Sequence, residues 1–94
     1  RFSRPASPLA RRAFERAARR AGVRLAAATG MLFRGRRVYI NGESVAVSGR
    51  TRGCLQQLAD ARGLPAGTSF TPAAAVLIYT WYRAGYLGLG GANG

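Results

Sequence analysis

Between Arg36 and Val47 the side chains sort into two faces with the period of two that marks a half-buried strand. Asn41-Gly42 divides the segment, and this pair suits a type I′ turn, whose two central residues both need positive φ. A turn there sets Ile40 opposite Glu43, Val38 opposite Val45 and Arg36 opposite Val47. Val38, Ile40, Val45 and Val47 then form one apolar face, with Arg37, Tyr39, Ser44 and Ala46 on the other. A slip of one residue would scatter both sets, so turn and pattern agree. The segment reads as a small β-wing with a basic outer side.

Elsewhere the period is helical. Ser7-Pro8 starts a helix, with Ser7 as N-cap and Pro8 in the first turn. It runs to about Ala28 and aligns Phe14, Ala18, Ala21, Leu25 and Ala28 on one stripe. Arg12, Arg16, Arg19, Arg20 and Arg24 take the far side, while Gly22 marks a kink or an early stop. Thr29-Gly30 closes this helix, and Met31-Leu32-Phe33 is an apolar anchor leading into the wing. Ser48 or Thr51 caps a second helix that reaches about Arg62 and buries Cys54, Leu55, Leu58 and Ala61; Gly63 stops it. After a loop at Ala66–Phe70, Thr71-Pro72 opens a third helix to Ala84, with Gly85 just beyond its end. Ala74, Leu77, Ile78 and Trp81 form its core stripe; Tyr82 and Arg83 lie off it, Tyr82 at the core's edge. Tyr86–Leu89 is a short final strand, and Gly90–Gly94 a frayed tail.

These elements predict an α+β, winged-helix-like domain: a β-hairpin, two short helices and a terminal strand, preceded by an amphipathic Arg-rich helix. The expected division is 1–30 for the basic helix, as a dimerisation or linker segment, 31–89 for the winged-helix-like domain and 90–94 for the tail. The usual winged helix carries its wing after the recognition helix, so the order here is atypical.

Composition narrows the chemistry. Ninety-four residues suffice for one modest core. There are 15 basic residues, all arginine, against Glu15, Glu43 and Asp60, for a net charge of +12. A GC-rich coding bias accounts for arginine over lysine but not for the scarcity of acid. Such a field attracts phosphate backbones, acidic proteins or anionic membrane. The chain has no histidine, which removes imidazole acid–base catalysis and histidine-activated nucleophiles. Three scattered carboxylates build neither a glycosidase pair nor a magnesium cage, and Cys54, the single cysteine, reads as a small core residue. No apolar run is long enough to span a bilayer. The start at Arg1 and the Gly-rich end suggest a piece of something longer. The chain alone is expected to be no enzyme and to hold no cofactor or metal.

The segment Val38-Tyr39-Ile40-Asn41-Gly42-Glu43-Ser44, the helix carrying Leu55, Leu58 and Ala59, and the ending Leu77-x-x-x-Trp81-Tyr82-x-x-Gly85-Tyr86-Leu87 carry a resemblance. Over roughly residues 36–89 they resemble the C-terminal winged-helix-like domain of bacterial JmjC/cupin hydroxylases. These are the ribosomal-oxygenase type, dependent on iron and 2-oxoglutarate. The resemblance implies a non-catalytic accessory domain that supports dimerisation or docking to a ribosomal substrate, in the cytoplasm. It implies that Pro8–Ala28 stands for a dimerisation segment, with a homodimer and ribosomal RNA or protein as partners. The family's iron and 2-oxoglutarate ligands lie in the barrel and have no counterpart here.

The alternative is a free-standing winged-helix nucleic-acid binder. Arg34, Arg36, Arg37, Tyr39, Arg50 and Arg52 would make its contacts, with Arg12, Arg16, Arg19, Arg20 and Arg24 as a basic helix face. The expected recognition helix, Pro72–Ala84, carries only Arg83, so binding would be backbone-driven and weakly specific. Two weaker readings of the first helix are a membrane-surface arm, short of large apolar residues, and a mitochondrial transit peptide.

Overall fold

Asn41 and Gly42 have φ of 48° and 87°, as the two-residue turn requires. In the computed structural model, which describes residues 2–90, that turn joins β3 (Arg37–Ile40) to β4 (Glu43–Ala46). Ile40 faces Glu43 and Val38 faces Val45, and the Val47 amide donates to the Arg36 carbonyl at 2.8 Å. Val38, Ile40 and Val47 are buried, while Arg37, Ser44 and Ala46 are exposed.

The wing has a third strand. Met31–Arg34, expected as an apolar anchor, is β2 and pairs antiparallel with β3 through the turn at Gly35-Arg36. The Asn41 side chain locks its start, since Oδ1 accepts from the Gly30 amide at 2.9 Å and the Asn41 amide donates to the Gly30 carbonyl at 3.0 Å.

The first helix is shorter than its composition suggests. α1 spans Arg11–Ala21, and Val23–Leu25 is β1 rather than a further helical turn. Ser7 is not its cap: Ala10 holds that position without a side-chain hydrogen bond. Leu9 is held out of the helix, its amide donating to the Tyr82 hydroxyl at 3.0 Å and its carbonyl accepting from the Tyr79 hydroxyl at 2.8 Å. At the other end Gly22 takes φ 80° and ψ 178° and donates back to the Ala18 carbonyl at 2.7 Å. A Cβ there would lie 2.5 Å from the Leu64 carbonyl oxygen, so only glycine permits this approach. Thr29 closes no helix; its hydroxyl donates to the Tyr86 carbonyl at 2.7 Å.

β1 is the middle strand of a second sheet, ordered β5-β1-β6, where β5 is Gly63–Leu64 and β6 is Leu87–Leu89. Between the strands lie α2 (Gly49–Ala61) and α3 (Pro72–Ala84). Ser48 sits at the α2 cap position without a side-chain bond, and Thr51 instead hydrogen-bonds the Thr71 hydroxyl across to α3. Thr71 caps α3 as expected, accepting from the Ala74 amide at 3.1 Å. Of the expected α2 face, Leu55 and Leu58 are buried, Cys54 is half-buried and Ala61 is exposed.

One core joins these layers. Phe14 and Ala18 of α1, Val23 and Leu25 of β1, Val38 and Ile40 of the wing, Leu58 and Ile78 all belong to it. The helix and the wing therefore share one core. Tyr82, expected at the edge, is buried and stacks on Phe14 with ring centroids 4.4 Å apart. Each fully buried large side chain is worth about 1.5–3 kcal/mol of transfer free energy, so α1 is held by packing as well as by its own hydrogen bonds. The result is the expected mixed α+β winged-helix domain. Of the expected tail, residues 91–94 lie outside the described residues.

Candidate functional site

The alternation of the strands fixes the outer face of the wing. Leu32 pairs with Tyr39, which pairs with Ser44; Arg34 pairs with Arg37, which pairs with Ala46. Arg36 occupies the turn between the second pair, so the chain sets three exposed guanidinium groups around one tight turn. Like charges directly opposite one another on a sheet repel at a cost of a few tenths of a kcal/mol to about 1 kcal/mol. Among the described residues the one ion pair is Arg11–Glu15 at 3.1 Å, so no internal carboxylate relieves the wing. Glu43, opposite Ile40 at the wing turn, accepts from the Tyr86 hydroxyl at 2.7 Å rather than pairing with the wing's arginines. That bond, more than desolvation or the carboxylate's charge, pushes the Tyr86 hydroxyl above the ordinary phenol range.

Arg37 does not extend freely into solvent. Its Nη2 donates to Ser44 Oγ at 3.0 Å, which lays the guanidinium along the outer face toward the Tyr39–Ser44 row. Arg52 is committed further. From the first turn of α2 it donates to the Gly35 carbonyl through Nε at 3.3 Å and Nη2 at 3.1 Å, and its Cζ sits 5.1 Å from the Phe33 ring centroid. A cation–π contact of this kind is worth about 0.5–1 kcal/mol at an exposed site, so Arg52 clamps the β2–β3 turn to α2. Arg50 is exposed in that same first turn of α2.

The second basic surface is on α1, where Arg12, Arg16, Arg19 and Arg20 are all exposed. Arg24, expected to extend this face, is exposed on β1 beyond the helix end. The apolar side of α1 is already used, with Phe14 and Ala18 buried in the core.

One arginine has a role that the pattern did not suggest. Arg62 ends α2 with φ 60°, and its guanidinium donates to the Thr29 carbonyl at 2.9 Å and the Ala26 carbonyl at 2.8 Å. It ties the link between β1 and β2 to the end of α2. Its place just before the helix-stopping Gly63 is the only sequence signal for this.

α3 turns its large side chains inward. Ala74, Ala75, Ile78, Trp81 and Tyr82 are buried, and its exposed residues are Pro72, Ala73, Val76, Thr80 and Arg83. That face lacks the row of long polar side chains with which a helix reads base edges in a major groove. An uncharged groove of about 430 Å³ lies between β4 and α3, lined by Val45, Val47, Thr51, Val76 and Leu77 among others. It contains no carboxylate or thiol. Burial pushes the Cys54 thiol upward, the opposite of an activated nucleophile. Among the described residues no cluster of cysteine, aspartate and glutamate could hold a metal ion, and no helix is long and apolar enough to cross a membrane.

A family model described as a ROXA-like winged helix matches residues 4–88. The fold is also similar to the X-ray structure of E. coli ycfD, with a TM-score of 0.77 and 22% sequence identity. That likeness covers 94% of this chain and 24% of the other, so this chain spans about a quarter of that protein's length. No curated protein matches at the sequence level.

Proposed function

The chain belongs to the ROXA-like winged-helix family, and on that premise we propose that it is a non-catalytic accessory domain docking a longer JmjC/cupin hydroxylase onto ribosomal RNA. The observation that carries this reading is the wing turn. Arg34, Arg36 and Arg37 are exposed around it, Arg34 and Arg37 face each other, and no carboxylate of the described residues pairs with them. Repelling cations held on a rigid turn are relieved by an anion from outside, and a phosphate backbone supplies anions at regular spacing. The resemblance to ribosomal-oxygenase-type hydroxylases supplies the ribosome as the surface to be met. Docking is favoured over dimerisation through α1, because the apolar residues such a dimer would share are spent inside the fold.

Binding of this kind gains free energy by releasing counterions and discriminates little between sequences. Three phosphate contacts give a slope of log K against log salt of about −2 on single strands and about −2.7 on a duplex. The test is a salt titration of binding to a ribosomal RNA fragment by the full chain and by an Arg36→Ala/Arg37→Ala variant. The expected result is a linear plot whose slope falls by about 1.4–1.8 in the variant. No binding near physiological salt, or an unchanged slope, overturns the proposal.

A further inference from the structure

The outer wing face carries more than charge. Leu32 is 56% exposed, and its register partner Tyr39 is half-buried beside it. Facing residues on neighbouring strands bring their side chains within about 5 Å of each other. Leu32 and Tyr39 therefore form one apolar patch, bordered by Arg34 and Arg37 in the next row and by Ser44 on the far strand. The Arg37 guanidinium, held on Ser44, extends along that border.

A duplex would leave this patch idle, because its bases are stacked inward and it offers the face only phosphates and sugars. Unpaired bases are flat, apolar on both sides and free to stack on an aromatic ring, while their backbone stays available to cations. Resting on the docking reading above, we propose that the outer wing face is a platform selective for single-stranded RNA. Tyr39 stacks one base, Leu32 supports its neighbour, and Arg34 and Arg37 hold the flanking phosphates. Arg36, at the turn, adds charge without selectivity.

The test is fluorescence anisotropy of the full chain with an unstructured 12-nucleotide RNA and with a 12-base-pair RNA duplex. The single strand is expected to bind at least about fivefold tighter, and Tyr39→Ala to weaken it about tenfold, the loss of one stacked base. Duplex binding should change less than about twofold, and Tyr39→Phe should retain the preference. Leu32→Ser, at a position exposed enough to leave the fold alone, should weaken single-strand binding in the same sense. Equal or tighter duplex binding overturns the platform while the docking proposal stands. So does an equal loss on both ligands in Tyr39→Ala. Failure to bind either ligand overturns both.

Discussion

Replacing Gly22 with alanine should be among the most damaging single-methyl changes this chain can suffer. Two costs combine. At φ 80° and ψ 178° the backbone lies in a region that is essentially glycine-only, at about 1–3 kcal/mol for another residue. The new Cβ would also sit 2.5 Å from the Leu64 oxygen, 3.1 Å from the Ala66 nitrogen and 3.2 Å from the Pro65 carbonyl carbon. All three are backbone atoms, so no rotamer change relieves the contact, and overpacking adds about 1–3 kcal/mol. Together the loss is about 2–6 kcal/mol, against the roughly 5–15 kcal/mol that holds a domain folded. Gly49→Ala is the control, since φ there is also positive at 59° but nothing lies within 4 Å of the added methyl. Urea unfolding followed by the fluorescence of the buried Trp81 measures both. Gly22→Ala should be the less stable of the two by about 1–3 kcal/mol with the slope m unchanged. Equal stabilities would show that the α1–β1 junction does not approach Leu64 as described.

Two further outcomes follow from the packing and the wing. Phe14→Ala should cost about 3–5 kcal/mol in the same assay, since Phe14 is fully buried and stacked on Tyr82; a loss below about 1 kcal/mol would make α1 a loosely attached arm. Tyr86, whose hydroxyl is raised from its ordinary 10.0 by the bond to Glu43, is favoured by the fold in its neutral form. The stability from this bond is therefore full below pH 10 and is lost as pH rises through the higher folded value. Alkaline titration of tyrosine absorbance should show one tyrosine ionising at lower pH in Glu43→Ala, which removes the acceptor, and an unchanged titration would exclude the bond.

The wing was legible because its information is local. Asn41-Gly42 fixes the turn, and the alternation on either side fixes which side chains are buried. Thr71-Pro72 and Gly85 likewise mark the two ends of α3. What escaped was set by distant partners. Val23-Arg24-Leu25 has a helical neighbourhood and becomes a strand only because Leu64 and Leu87–Leu89 pair with it. Leu9 is kept out of α1 by tyrosines more than sixty residues away. Of the candidate site, Arg34, Arg36, Arg37 and Tyr39 fall together on or beside one face. Composition could not separate them from Arg52 and Arg62, whose guanidinium groups are engaged by backbone carbonyls. Leu32 escaped as a surface residue because β2 read as an apolar anchor, and only its pairing with Tyr39 places it outside.

The two sheets also differ in when they can form. β2, β3 and β4 follow one another through tight turns, so the wing can close within microseconds of being made. β1 must wait for Leu64 on one side and then for Leu87–Leu89 on the other, contacts that span most of the chain. During synthesis α1 thus emerges well before its aromatic partners in α3, and Phe14 stays uncovered until they follow.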